Sequence, residues 1–146
     1  MRERQFSVWI DAEPEQVWRT YVDPGRIPEW QTGRPVIVDV RGEAGQPGST
    51  YVSRRGRLAA RTTVLLAEPH GRLVTGTEAY LGLRLRVSST LLATAGGTRL
   101  DLRVQTRWPP GLRILGRLVE RAIVDPREGS RELGNLKALV EREAGR

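Results

Sequence analysis

Residues 13–30, EPEQVWRTYVDPGRIPEW, decide how the chain is read. Pro14 suits the first turn of a helix, where its missing N–H costs nothing. Val17, Trp18, Tyr21 and Val22 then fall on one apolar stripe of a short helix. Asp23 is placed to cap a second helix started by Pro24, with Ile27 and Trp30 turned inward. Gly33 and Pro35 close this helical section. Two short helices therefore stand near the start of the chain, and the segments on either side of them have a different period.

Upstream, RQFSVWI (4–10) alternates, with Phe6, Val8 and Ile10 on one face, which is strand periodicity. Downstream, VIVDV (36–40) reads as a strand and RGEAGQPGS (41–49) as a turn-rich loop. TYVSRR (50–55) and RLAARTTVLLAE (57–68) flank Gly56, and Pro69–Gly71 is a tight turn before RLVTGTEAY (72–80). LGLRLRVSSTLLAT (81–94) and TRLDLRVQTRW (98–108) flank the hairpin connection Ala95–Gly97. Seven strands joined mostly by short turns predict a mostly antiparallel sheet.

From Leu112 to Glu143 the apolar residues Leu115, Val119, Ala122, Ile123, Leu133, Leu136 and Val140 recur at helical spacing. Thirty-two residues at ~1.5 Å each would reach about 48 Å, more than a domain of this size is wide. Pro126 removes one helical hydrogen bond and predicts a kink or break near Val124–Asp125, and Gly129 and Gly134 weaken the same section. A sheet with one apolar face needs a cover, and this helix is the only element large enough. The expected fold is α+β: a seven-stranded antiparallel sheet curved around a long C-terminal helix, with the two short helices between strands 1 and 2 forming a plug or gate at one end of a groove.

At 146 residues the chain suits one domain, spanning 1–146. It has no apolar run near the ~20 residues of a membrane span, and its basic start has no apolar stretch behind it, so a secretory signal is not expected and the cytoplasm is the default. Cysteine is absent and His70 is the sole histidine, which excludes disulfides, thiolate metal sites and histidine-pair metal sites. No acidic cluster suggests a carboxylate metal site, and GGTR (96–99) is a turn with no lysine-bearing helix behind it, so neither metal nor cofactor is expected. The net charge of +7 is concentrated in residues 54–107, where 10 basic side chains face 3 acidic ones. The excess thus lies in the sheet rather than in a tail or a basic helix.

Five segments, FSVWIDAEPEQVWRTYVDPGRIPEW (6–30), GEAGQPGSTY (42–51), VLLAEPHGRLV (64–74), GGTRLDLRV (96–104) and LGNLKALVERE (133–143), occur in the order found in a known superfamily. The chain resembles the START-like helix-grip (SRPBCC) superfamily over about residues 4–143, and among its members the bacterial polyketide cyclase/dehydratase type. The resemblance implies a seven-stranded sheet gripping a C-terminal helix, with a lipid-like or aromatic ligand between them. It carries over no catalytic residue, because no catalytic motif of the family matches.

Alternation divides each strand into two sets. The set expected to face the helix holds Leu58, Ala60, Thr62, Val64 and Leu66; Leu73, Thr75 and Thr77; Leu83, Leu85, Val87 and Ser89; and Leu100, Leu102, Val104, Thr106 and Trp108. Trp30, Leu115, Val119 and Ile123 join it from the helices. From these, Trp30, Tyr51, Thr62, Thr77, Leu85, Leu102, Trp108, Leu115, Val119 and Ile123 are the candidate ligand-binding residues. Leucine, valine and hydroxyl groups suit a largely apolar ligand oriented by a few hydrogen bonds; the competing reading is that the same side chains simply pack as core. The opposite set holds Arg55, Arg57, Arg61, Arg84, Arg86, Arg99, Arg103 and Arg107, offset in that phase by Glu78 and Asp101, and predicts an arginine-rich convex face. Almost no aromatics accompany those arginines, which counts against single-stranded nucleic acid as a partner.

The inward strand positions hold no Asp, Glu or His, so no acid–base site is expected. Arg54 shares a phase with Val52, which admits it to the cavity unless Gly56 bulges the strand and turns it out. The expected function is binding of a small hydrophobic molecule of lipid, polyketide or isoprenoid type. One alternative is a polyketide cyclase/dehydratase-type enzyme using Tyr51 or Tyr80 and arginine as donors. The other is an interaction module working through the basic convex face.

Overall fold

The alternation of residues 4–10 belongs to β1 (Arg2–Ile10), and the quoted stretch folds as α1 (Pro14–Tyr21), a 3-10 turn (Pro24–Arg26) and α2 (Ile27–Trp30). After them come β2 (Val36–Arg41), β3 (Thr50–Arg55), β4 (Leu58–Glu68), β5 (Arg72–Glu78), a second 3-10 turn (Tyr80–Gly82), β6 (Arg84–Thr94) and β7 (Gly97–Arg107). Two helices, α3 (Arg113–Ile123) and α4 (Pro126–Glu143), complete the order. This computed structural model describes residues 2–123 and 126–145, and side chains among them outside 119–126. The break expected at Val124–Asp125 lies outside the described residues.

Among the described residues the strands form one seven-stranded sheet in the order β1-β7-β6-β5-β4-β3-β2. Every neighbouring pair is antiparallel. β1 and β2 are the two edges, so the chain must cross the whole sheet between its first and second strands. The two short helices make that crossing. Gln16 accepts a hydrogen bond from the Glu13 N–H at the start of α1, and Asp23 accepts one from Gly25 N–H at 2.9 Å, which caps the turn into α2 as its position suggested. Between β6 and β7 the loop residues Ala95 and Gly96 have φ of 51° and 76°, the left-handed pair that a two-residue hairpin requires.

The core gathers at the end of the sheet where β1 finishes and β7 begins. Ile10, Leu100 and Leu136 are fully buried there with Val17, Trp18, Leu91, Leu133 and Val140. Leu133, Leu136 and Val140 form the apolar stripe of α4, as their spacing predicted. Gly129, read from sequence as a weak point of the helix, has a packing role: a Cβ there would lie 2.5 Å from the Phe6 ring. Gly97 lets β7 approach β1, since a Cβ would come within 2.4 Å of the Ile10 carbonyl oxygen. Beside it the buried Thr98 hydroxyl donates to the Ala12 carbonyl at 2.7 Å, tying the start of β7 to the exit of β1.

Two strand readings need correction. β4 shifts register between Val64 and Leu66 as it pairs with β5, because one extra residue enters the strand there. Thr62 and Val64 keep their inward phase, but beyond the shift Ala67 pairs with the inward Leu73 and packs on the core, while Leu66 turns outward opposite Val74. In β3, Tyr51 pairs with Thr62 and Arg55 with Leu58, so Tyr51, Ser53 and Arg55 share the inward face. Arg55 therefore leaves the predicted convex set, and Arg54, exposed and paired with Val36 in the outward phase, does not enter the cavity.

Candidate functional site

Away from the core the inner face of the sheet is not filled. A cavity of about 690 Å³ lies between it, α2 and the start of α4. Leu73, Leu85, Val87, Leu102, Val104 and Phe6 form its aliphatic and aromatic wall, and Ile27, Trp30 and Tyr21 close one end. Arg55, Leu58, Tyr80 and Leu81 belong to the lining and are exposed, so they mark its mouth.

Of the residues predicted for the site, Trp30, Tyr51, Thr62, Thr77, Leu85, Leu102 and Trp108 all line this cavity. Leu115 does not: it is exposed, because α3 rests on Trp108 through Gly116 and turns Leu115 to solvent. The side chains of Val119 and Ile123 lie outside the described residues. Val64 and Leu100, placed by phase among the inward residues, are consumed by the packed core.

The polar atoms of the lining come in pairs. Thr62 and Thr77 share a hydrogen bond of 2.8 Å between their hydroxyls. Tyr21 and Ser89 share one of 2.7 Å. Burial pushes the Tyr21 phenol up to about 12, with the Ser89 bond opposing, so this hydroxyl stays protonated. Burial also raises Tyr51, and its bond with Thr62 works against the rise. Trp30 Nε1 is buried and has no acceptor among the described residues, an unmet donor of the kind that costs about 1–3 kcal/mol.

Sequence reasoning missed a carboxylate. Glu132 projects from α4 into the lining, where its Oε1 accepts from the Thr32 hydroxyl at 2.9 Å and the Thr32 N–H at 3.2 Å. Arg55 Nη2 is 3.7 Å from the same oxygen and donates to Gln31 Oε1 at 3.0 Å. Burial lifts Glu132 above the ordinary carboxylate range, and the Thr32 bonds and the Arg55 charge only partly counter it. The expectation of no acid–base group inside is thereby corrected: the strands supply none, and the helix supplies one. Its signal was present, since Glu132 stands four residues before the fully buried Leu136 and three after Gly129, on the same helical face.

The opposite face of the sheet is polar. Arg61, Arg84, Arg86 and Arg107 border a groove of about 520 Å³ there. Asp39 pairs with Arg61 at 3.0 Å, Glu78 with Arg84 at 3.9 Å, Asp101 with Arg99 at 3.0 Å and Glu3 with Arg103 at 3.5 Å. These exposed pairs make it a charge-paired, solvated surface. His70 is exposed in its turn with its ring edge-on to Trp18 at 6.2 Å and does not belong to the cavity lining. Among the described residues no cluster of His, Asp and Glu is placed to hold a metal, and no helix is long and apolar enough to cross a membrane.

Comparison with solved structures gives the same architecture. A Rhodobacter sphaeroides protein superposes with a TM-score of 0.72 at 23% identity, covering 96% of this chain and 93% of that one. The dimeric Aha1 of Colwellia psychrerythraea gives 0.65 at 18%, covering 97% of each chain. DynU16, from the dynemicin biosynthetic locus, gives 0.66 at 19%, with 97% of this chain matching 48% of that protein. At these identities the likeness shows the fold alone. A comparison with curated proteins gives no match. Residues 1–141 match the sequence profile of a family described as polyketide cyclase / dehydrase and lipid transport. The seven-stranded grip, the cavity behind it and this match over nearly the whole chain lead to one conclusion: the chain belongs to the polyketide cyclase / dehydrase and lipid transport family.

Proposed function

We propose that this chain binds a small, largely apolar molecule of lipid, polyketide or isoprenoid type in the cavity between sheet and helices. The observation that carries the reading is the unfilled volume of about 690 Å³ behind an otherwise closely packed core. Protein interiors pack densely, and a space of that size falls within the range of small-molecule sites. Trp30, Tyr51, Thr62, Thr77, Leu85, Leu102 and Trp108 are the proposed contacts, with Tyr21, Arg55 and Glu132 added by the geometry. Aliphatic walls would take the hydrocarbon part of the ligand. The Arg55–Glu132–Gln31 group would orient an oxygen-bearing end, since a guanidinium held at a rim favours carboxylate or carbonyl oxygen. Family membership supports the same ligand class.

Native mass spectrometry of the purified chain tests this, together with 8-anilinonaphthalene-1-sulfonate as a fluorescent probe of the cavity. The expected result is a co-purified apolar molecule bearing at least one oxygen group, or enhanced probe fluorescence that added lipid-like ligand reverses. A protein that carries no molecule and leaves the probe dark refutes the reading.

One specific observation favours a second reading, an acid–base enzyme of cyclase or dehydratase type. Glu132 is a carboxyl with a raised proton affinity in the lining, and the protonated phenols of Tyr21 and Tyr51 border the same space. A poly-β-ketone thioester offered as substrate separates the two: conversion by the wild type and its loss in Glu132→Gln favours the enzyme, and binding without conversion favours the carrier.

A further inference from the structure

The first turns of helix α3 show aliphatic side chains to solvent. Among its residues 113–118 the buried one is Gly116, where a Cβ would lie 2.5 Å from the Trp108 indole, so the helix backbone rests directly on that ring. At about 100° per residue, Ile114 and Leu118 fall on the arc opposite Gly116, Leu115 on one flank, and Arg113 and Arg117 on the other. Accordingly Ile114 is 80% exposed, Leu118 59% and Leu115 51%. The Trp108 beneath the helix also lines the cavity. Pro109 beside it meets Gly82, which ends the turn that sets the exposed Tyr80 and Leu81 at the cavity mouth. Leu81 holds a left-handed backbone with φ of 59°, unfavourable for leucine, while its side chain stays 43% exposed. Joined through Trp108 and Pro109, a helix face and a turn beside the cavity thus present exposed aliphatic side chains, with Arg113 and Arg117 on the helix flank.

We propose that this rim is a docking surface for an anionic lipid bilayer. Aliphatic side chains flanked by arginine, with a phenol at the edge, are the composition that settles at the boundary between headgroups and acyl chains. Arg113 and Arg117 match anionic headgroups, whereas a second copy on the same face would set them against their own kind in a chain of net charge +7. Leu81 and Trp108 share the cavity lining with Leu85 and Leu102, so a docked mouth would open toward acyl chains rather than water. Docking concerns the outer rim and does not require that the cavity hold a ligand.

Co-sedimentation of the full chain with vesicles tests the proposal, using phosphatidylcholine alone and phosphatidylcholine mixed with phosphatidylglycerol. The expected result is binding to the mixed vesicles at low salt, weaker binding to phosphatidylcholine alone, and release as salt rises. Ile114→Glu/Leu118→Glu should weaken binding by about tenfold or more, because two leucine-sized side chains no longer enter the boundary. Arg113→Glu/Arg117→Glu should abolish the preference for phosphatidylglycerol. Both variants should still enhance 8-anilinonaphthalene-1-sulfonate fluorescence like the wild type, which separates loss of docking from loss of the cavity. No sedimentation with the mixed vesicles overturns the proposal, as does undiminished binding by both variants. Should the first variant fail to fold by circular dichroism, the exposed-charge variant decides alone. A wild-type dimer that Ile114→Glu/Leu118→Glu converts to monomer in sedimentation velocity assigns the face to a second copy and overturns the proposal as well.

Discussion

Glu132 stands where burial and its partners pull in opposite directions. Removal from water favours the neutral acid, while Thr32 and Arg55 favour the carboxylate, and burial dominates. A carboxyl whose proton affinity is raised by folding contributes stability below its unfolded pKa and loses it as pH rises through the folded value. The Glu132→Gln variant keeps the shape and an acceptor for Thr32 but cannot ionise. Its unfolding free energy should therefore match the wild type within about 1 kcal/mol in acid and equal or exceed it at neutral pH. Urea unfolding of both proteins across the acid range checks this; a wild type that gains stability over the variant as pH rises would contradict it. Tyr21 offers a second residue test. Because its phenol is buried and bonded to Ser89, Tyr21→Phe should cost about 1 kcal/mol, and alkaline titration of tyrosine absorbance should show one phenol ionising only near 12. Arg55 was read in the wrong phase for a physical reason. In TYVSRR both faces carry an apolar residue, Tyr51 on one and Val52 on the other, so alternation alone does not choose between Arg54 and Arg55.

At the scale of elements, strand count, order of helices and the α4 stripe were legible because each obeys a simple period of two or near 3.6. The inward phase of Leu66 was not, since the register shift in β4 depends on the partner strand and leaves no mark in the alternation. The face of α3 was not legible either. Its apolar residues have helical spacing, and spacing cannot say whether the stripe turns to the core or to solvent. For Ile114, Leu115 and Leu118 the contact of Gly116 with Trp108 decides it. Gly97 supplies the test at this scale. A side chain there meets the backbone oxygen of Ile10, which no rotamer change can relieve, and would force β7 away from β1. Gly97→Ala should destabilise the chain by about 2 kcal/mol or more by thermal or urea unfolding, whereas Gly134→Ala, with nothing near its Cβ, should stabilise it by a few tenths to about 1 kcal/mol.

For the molecule as a whole, the question is how one inner sheet face comes to be filled at one end and open at the other. Where β1 finishes and β7 begins, α1 and α4 deliver Val17, Trp18, Leu133 and Leu136 against Ile10 and Leu100, and the volume closes. Toward Leu85, Leu102 and Trp108 the covering side chains leave about 690 Å³ free. If that space is a binding site, filling it should spare the fold and abolish binding. Leu85→Trp/Leu102→Trp should retain the wild-type circular dichroism spectrum and bind 8-anilinonaphthalene-1-sulfonate at least about tenfold more weakly. A ligand held in the wild-type cavity at a hundredfold excess over its Kd should raise the unfolding free energy by about 2.7 kcal/mol, and the filled variant should lose that gain in a thermal melt.

The sequence by itself determined the architecture: the number of strands, their antiparallel pairing, the terminal helix as cover, and seven side chains that reach the cavity. Those follow from periodicity and turn chemistry, which act over a few residues and are written locally. Tertiary structure alone decided where the inner face is packed and where it is empty, that Arg55 and Glu132 meet at the polar end, and that α3 shows Ile114, Leu115 and Leu118 to solvent. These depend on the distance between elements far apart in the chain, and an inward leucine carries the same pattern whether a helix fills the space before it or leaves it open.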